Sequence, residues 1–208
     1  MSTLFGGDLH FGDSGITKYQ SSDSEGNPFK SVKERDECLL TLWNEKVHSK
    51  DVVIINGDLI SHNEKPFEWY LKRLNGILVL VPGNHDYDLL RDRHAMRYFA
   101  NADNIQEIKF VPDVDEDNHG AIVCHYPLME WNGFRKGVNH IYGHIHNQSP
   151  EVQKAMAEKN KYAEEQGFGM SVNCSMTPVP LAPMTFMEWK AIQKQKEQRF
   201  FEQPGISS

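Results

Sequence analysis

Short unbroken apolar runs alternate with amphipathic or polar stretches along this chain. Residues 51–55 (Asp-Val-Val-Ile-Ile) and 77–81 (Ile-Leu-Val-Leu-Val) are continuous apolar runs bounded by turn residues, which predicts strands covered on both faces. Residues 3–7, 105–111, 121–124, 140–142 and 171–174 predict further short strands, with an acidic turn at 113–118 between the second and third of these. Helical spacing begins at Val32, which shares a face with Cys38, Leu39, Leu42, Trp43 and Val47, so 32–48 predicts a helix. Residues 66–74 predict a second helix, with Pro66 in its first turn and Gly76 beyond its end. Residues 89–99 predict a third, and 185–201 a last one, where Thr185 and Glu188 have capping-box spacing.

The stretches between are polar. Residues 11–31, rich in Ser, Gly and Asp, read as a loop. The mixed-charge stretch 149–166 is weakly amphipathic and reads as an exposed helix or a mobile excursion. Pro178, Pro180 and Pro183 mark an extended segment, and 203–208 reads as a frayed tail. Strands alternating with helices imply an α/β fold, whose ligands bind in loops beyond the carboxyl ends of the strands.

Composition narrows the class. The 208 residues suffice for one domain with a sizeable core, and 39% hydrophobic with 25% charged residues is ordinary for a soluble protein. A formal net charge of -7 argues against a surface for duplex nucleic acid, because backbone affinity comes from clustered Lys and Arg. No apolar run approaches the roughly 20 residues of a membrane span. The N-terminus enters a motif at Gly7-Asp8, which leaves no room for a removable signal. Cys38, Cys124 and Cys174 are too few for a disulfide framework and lack metal spacing, so a reducing cytoplasm is the expected compartment.

The chemistry lies in five short motifs, most of them just after a predicted strand. They are Gly7-Asp8-Leu9-His10, Gly57-Asp58, Gly83-Asn84-His85-Asp86, Cys124-His125 and Gly143-His144-Ile145-His146. Side chains two apart at a strand end point the same way, so Asp8 and His10 can share a cation. Asp58 suits a carboxylate bridging two ions, and Asn84 offers a neutral oxygen. Mixed imidazole and carboxylate ligands fit Mn, Fe, Zn, Co or Ni better than Ca or Mg. A pair of such ions acidifies water and clamps phosphate oxygens. His85 followed by Asp86 suggests an acid with its orienting carboxylate.

This pattern resembles the calcineurin-like metallophosphoesterase superfamily over about residues 3–185. The likeness is greatest to small bacterial and phage phosphohydrolases that also carry Trp43-Asn44, Leu74-Asn75-Gly76 and His125-Tyr126-Pro127-Leu128 at these places. The resemblance implies a four-layer αββα sandwich in a bacterial or phage-infected cell. It implies that Asp8, His10, Asp58 and His146 hold one divalent ion and Asp58, Asn84, His125 and His144 the other. It implies a metal-bridging hydroxide as nucleophile, His85 as the acid for the leaving oxygen, and Asp86 orienting His85. Ser/Thr protein phosphatases carry Glu-Arg after Gly-Asn-His; here Asp86-Tyr87 stands there, against that substrate class.

The expected activity is therefore hydrolysis of a small phosphoester or nucleotide, as a diesterase or monoesterase. The rivals are a nuclease on short or single-stranded nucleic acid and a silent metal-bearing scaffold for a partner protein. Other features carry less. Asp113, Asp115 and Asp117 start like a calcium loop, but Asn118 and Cys124 stand where Gly and Glu are needed. His48, His94, His119 and His140 lack a second ligand nearby, as does His62, which nevertheless lies close to Asp58. Arg91, Arg93 and Arg97 read as a solvated helix face, and Trp131 and Phe134 as core or loop anchors.

Overall fold

The computed structural model describes residues 1–62, 65–109, 119–146, 150–177 and 180–202. Four strands, β1 (Thr3–Gly6), β2 (Val52–Asn56), β3 (Ile77–Val81) and β4 (Phe99–Ala102), pair in that order and all in parallel, with Thr3 opposite Val52 and Val52 opposite Ile77. Parallel neighbours need crossovers, and these contain α1 (Val32–Lys46), α2 (Phe67–Leu71) and α3 (Tyr87–Arg91). Crossovers of one hand leave all three helices on one face of the sheet. A second sheet joins β5 (Ile105–Ile108), β6 (Ala121–Cys124), β7 (Asn139–Tyr142) and β8 (Ser171–Asn173), with β5 antiparallel to β6 and the rest parallel. The β7–β8 crossover carries α4 (Pro150–Gln166), and α5 (Phe186–Glu202) packs on β8 and β1. One buried cluster takes Phe5, Ile55 and Leu80 from the first sheet and Val123, Ile141 and Val172 from the second, giving the four layers αββα.

Local chemistry explains the elements. Ser31 caps α1 by accepting Glu34 N–H, and Glu34 returns a bond to Lys30 N–H at 2.6 Å. The expected capping box forms on α5: Thr185 N–H donates to Glu188 Oε2 at 2.8 Å and Glu188 N–H to Thr185 Oγ1 at 3.3 Å. The Trp43-Asn44 and Leu74-Asn75-Gly76 signatures bond to each other. Trp43 Nε1 donates to Asn75 O at 3.0 Å, Asn44 Nδ2 to Arg73 O at 2.7 Å, and Asn75 N–H to Asn44 Oδ1 at 2.9 Å. Gly76 adopts φ +102° there, where a Cβ would lie 2.9 Å from Val47 Cγ1. These signatures therefore lock α1 to the entry of β3 and stand apart from the chemistry.

Two expectations change. The helix expected over 89–99 stops short, and its last residue, Phe99, opens strand β4. Asp92 Oδ1 accepts His94 N–H at 2.8 Å and Ala95 N–H at 3.1 Å, a side-chain turn that ends α3 and releases the chain to the sheet. The stretch 149–166, read as an exposed helix or a mobile excursion, forms helix α4 from Pro150, but one that buries Met156, Ala157, Asn160 and Ala163. Asn160 in that stripe bonds both Ser171 O at 2.7 Å and Ser171 N–H at 2.8 Å, so a polar residue completes an apolar face. The acidic turn 113–118, Pro178 and the tail 203–208 lie outside the described residues. No helix of the described residues is long and apolar enough to cross a membrane.

His140 is a fully buried imidazole on β7. Its Nδ1 lies 3.0 Å from Ile122 O, and its Nε2 lies 3.1 Å from Leu128 N and 3.2 Å from Tyr126 O. Burial, with the Lys159 charge nearby, pushes its pKa down to about 4. An unfolded chain would take the proton near 6.5, so His140 supplies stability above that pH that is lost as the pH falls towards 4. We expect His140→Gln to reduce the acid-side loss of stability of the metal-free protein by on the order of 1–3 kcal/mol. Urea unfolding at pH 7 and pH 4.5 measures this, and an unchanged difference between the two pH values overturns it.

Candidate metal centre

Asp8 and His10 follow β1, Asp58 follows β2, Asn84, His85 and Asp86 follow β3, His125 follows β6, and His144 and His146 follow β7. All sit at the carboxyl ends of their strands. The backbone there is strained: Asp8, His10, Asp58, His144 and His146 have φ of 58°, 46°, 53°, 70° and 44°, the left-handed region that side chains avoid. Their neighbours hold them there. Asp8 N–H donates to Gly57 O and His10 N–H to Asp58 O, both at 2.9 Å, so the first two loops zip together. His144 N–H donates to the Asp8 carboxylate at 3.0 Å, and His85 N–H to Asp58 Oδ1 at 2.8 Å.

The side chains meet in two overlapping groups, Asp8, His10, Asp58 and His146 in one and Asp58, His125 and His144 in the other, with ligand atoms in each within 4.8 Å of one another. Asp58 belongs to both; its Oδ2 is 3.6 Å from His10 Nε2 and 3.4 Å from His125 Nε2. Asp8 Oδ1 is 3.4 Å from His146 Nε2. Asn84 is exposed and lines a cavity with His85 and Ser61.

These residues fit divalent cations. His125 Nδ1 bonds Asn56 O at 2.9 Å, while its buried Nε2 faces Asp58 without a hydrogen bond. His10 Nδ1 meets Ser61 Oγ at 3.1 Å, which turns its Nε2 towards His146 Nε2 at 3.2 Å, where a cation would relieve two facing lone pairs. Burial holds His10 down to about 3 and His146 down to about 4, so both imidazoles are neutral ligands at neutral pH. Burial pushes Asp8 up to about 7. His125 is pushed down by burial, yet the Asp58 and Asp8 carboxylates outweigh this and raise it to about 8. Asp58, pushed up by burial, is drawn down to about 2 by His125 and by the His85 N–H. Without metal, a proton on His125 serves as the counter-charge.

The motif glycines are steric requirements. Gly57 has φ +77°, and a Cβ on it would collide with His125 Nδ1. A Cβ on Gly83 would collide with Asp58 Oδ1 and reach within 2.8 Å of His125 Nε2. The ligands thus press against bare backbone.

Asp86 corrects one expectation, because it does not orient His85. Its Oδ2 accepts Asp58 N–H and Gly83 N–H, both at 2.8 Å, and its Oδ1 accepts Leu59 N–H at 2.9 Å. Both oxygens are committed to backbone, and the carboxylate is buried, so it fastens the second loop to the third. Burial raises its pKa, and these N–H donors oppose the rise.

The sequence reading missed Arg35. This buried guanidinium on α1 donates to Leu9 O, to Gln20 Oε1 at 2.7 Å, to Asp36 Oδ1 at 3.0 Å and to His10 O at 3.4 Å. Asp36 in turn accepts Gly12 N–H at 2.8 Å. The pair holds the chain on either side of His10. A signal existed: Arg35 falls three after Val32 and four before Leu39, on the helix face expected to be apolar.

The minor candidates resolve simply. The Arg91 guanidinium lies 3.9 Å over the Tyr87 ring, and Trp131 and Phe134 belong to a buried cluster with Ile122. Cys124 is buried, His48 pairs with Asp51, and His119 meets Lys136 O at 2.7 Å. His62 is exposed with φ 50°. In the loop after His10, Ile16, Lys18 and Tyr19 line a cavity with His10, His85 and His146.

Comparison with known proteins agrees with this geometry. The family model described as calcineurin-like phosphoesterase matches residues 1–160. An uncharacterized protein of Methanocaldococcus jannaschii, MJ1445, is 38% identical over 81 residues, 38% of this chain and 43% of that protein, so the match spans less than half of either. A crystal structure of a protein of unknown function from Aquifex aeolicus, AQ665, superposes with a TM-score of 0.60 over 91% of this chain and 98% of its own, at 19% identity, which speaks for the fold alone.

The Asp86 clamp makes a direct prediction. An amide at this position has one acceptor oxygen for three donors, so Asp86→Asn should destabilise the protein by about 2 kcal/mol. It should also weaken Mn²⁺ binding about tenfold or more by moving Asp58. Calorimetric titration with urea unfolding checks both, and unchanged metal affinity would show that Asp86 acts elsewhere.

Proposed function

This chain belongs to the calcineurin-like phosphoesterase family, and on that premise we propose that it hydrolyses small phosphoesters or nucleotides in a reaction dependent on two divalent transition-metal ions. The observation that carries the proposal is the sharing of Asp58 by two groups of mostly buried candidate ligands. Asn84 completes the second group. Mixed imidazole and carboxylate donors suit Mn, Fe, Zn, Ni or Co. When bound, such a pair supplies an acidified water as nucleophile and neutralises charge on the phosphate.

The chain's own residues do the rest. His85 is exposed, its backbone is tied to Asp58, and its ring lies 5.0 Å from the His10 ring, edge to face. We assign this imidazole, near the His10 ring, the role of giving a proton to the departing ester oxygen. Asp86 and Arg35 hold the loops from which these side chains project. Formal charge of -7 disfavours a long anionic duplex, whose affinity rests on many phosphate contacts.

Protein reconstituted with Mn²⁺, Ni²⁺, Co²⁺ or Zn²⁺ should bind two ions and turn over activated phosphoesters, with loss of activity in chelator. Asp58→Asn should weaken both sites. His85→Ala should keep its metals and lose about 10²–10⁴-fold in rate on alkyl esters, with a smaller loss on nitrophenyl esters, which leave without a proton. Duplex DNA should bind weakly and lose affinity steeply with salt. A protein holding two ions that cleaves none of a broad phosphoester panel would overturn the proposal.

A further inference from the structure

His85 stands between two cavities and lines both. One, of about 300 Å³, opens beside His10 and His146 and is walled by Ile16, Lys18 and Tyr19. The other, of about 190 Å³, opens beside Asn84 and Ser61 and is walled by His62, Phe67 and Tyr87. The first therefore borders the ligand group that holds His10 and His146, and the second borders Asn84, which the proposed function adds to the other group. A phosphate lying against both groups under His85 has an outlet on each side. Each outlet offers an exposed aromatic ring, Tyr19 at 53% and Tyr87 at 59% accessibility, on which an ester group can lie.

Two further observations point the same way. His62 is the sixth residue other than glycine with positive φ among those described, and the other five are the strained residues of the two ligand groups. It belongs to neither group, yet its ring centroid is 6.2 Å from that of His85. Strain of about 1–3 kcal/mol is kept where side-chain placement matters, here on the wall of the second cavity. The second observation is charge. Among the described residues lining the two cavities, Lys18 is the one fixed cation, offset by Asp13 and Asp88; Arg91 lies outside both linings, stacked on the Tyr87 ring. A monoester dianion would want additional cations beyond two metals, whereas a diester carries a single charge.

Resting on the phosphoesterase reading, we infer that the substrate is a phosphodiester whose two ester groups diverge around His85, one against Tyr19 and Lys18, the other against Tyr87, Phe67 and His62. Water gives up one proton to solvent and adds to phosphorus, one P–O ester bond breaks, and His85 gives its proton to the departing alkoxide and takes one back from solvent. The products are an alcohol and a phosphomonoester, whose dianion is a poor second substrate, so hydrolysis stops after one bond.

The test compares bis(4-nitrophenyl) phosphate with 4-nitrophenyl phosphate on the Mn²⁺-loaded protein, because the two share a leaving group and differ only in the second ester. We expect kcat/KM at least tenfold higher for the diester and one nitrophenolate released per molecule. Tyr19→Ala and Tyr87→Ala should each lower the ratio of diester to monoester kcat/KM by about 3–10-fold, the worth of one aromatic contact. Monoester turnover as efficient as diester turnover, or a ratio unmoved in both variants, overturns the inference and leaves the phosphoesterase reading standing. Hydrolysis of neither ester by protein holding two ions overturns that reading and the inference with it.

Discussion

Asp86 accepts backbone N–H bonds from Asp58, Leu59 and Gly83, and these three bonds fix the distance between the loops after β2 and β3. Each loop carries what the other needs. The β2 loop supplies Asp58, common to both ligand groups, and the β3 loop supplies Asn84 and His85, whose N–H closes on Asp58 Oδ1. A buried carboxylate facing three donors is a strong and directional restraint. Loosening it would move the shared ligand, the acid and two cavities together.

The other loops are restrained by similar means but at separate points. Arg35 binds carbonyls on both sides of the turn at His10, and Asp36 takes the N–H of Gly12 beyond it. A buried ion pair is weak evidence for stability by itself, because desolvation offsets much of the attraction. Here its bonds reach backbone that would otherwise relax out of left-handed φ. The Asp8 carboxylate accepts His144 N–H, so a ligand on the first sheet positions a ligand on the second. Strain of this kind persists where its surroundings over-determine it.

Much of this was legible in the sequence, for reasons that differ from part to part. Strands β2 and β3 are uniformly apolar runs and were read almost to the residue. The motif residues could be read because each follows a strand in an α/β order, and the sheets then gather Asp8, His10, Asp58, His125, His144 and His146, with Asn84 exposed beside His85. The burial of α4, read as an exposed helix or a mobile excursion, was obscured because Asn160 takes a buried place through bonds to Ser171, a pairing set by tertiary structure. Strand β4 was obscured because local spacing from Leu89 onward is helical and only the Asp92 turn breaks it. Asp86 was misread because adjacency to His85 suggests a pair, whereas three N–H groups from two loops compete for the same oxygens and win.

That competition leaves the His85 ring without a hydrogen-bonded partner among the described residues, held by its backbone and by edge contacts with the His10 and His62 rings. A molecule in either neighbouring cavity can therefore turn this ring without disturbing the buried framework, a tolerance that a carboxylate-locked ring would lack.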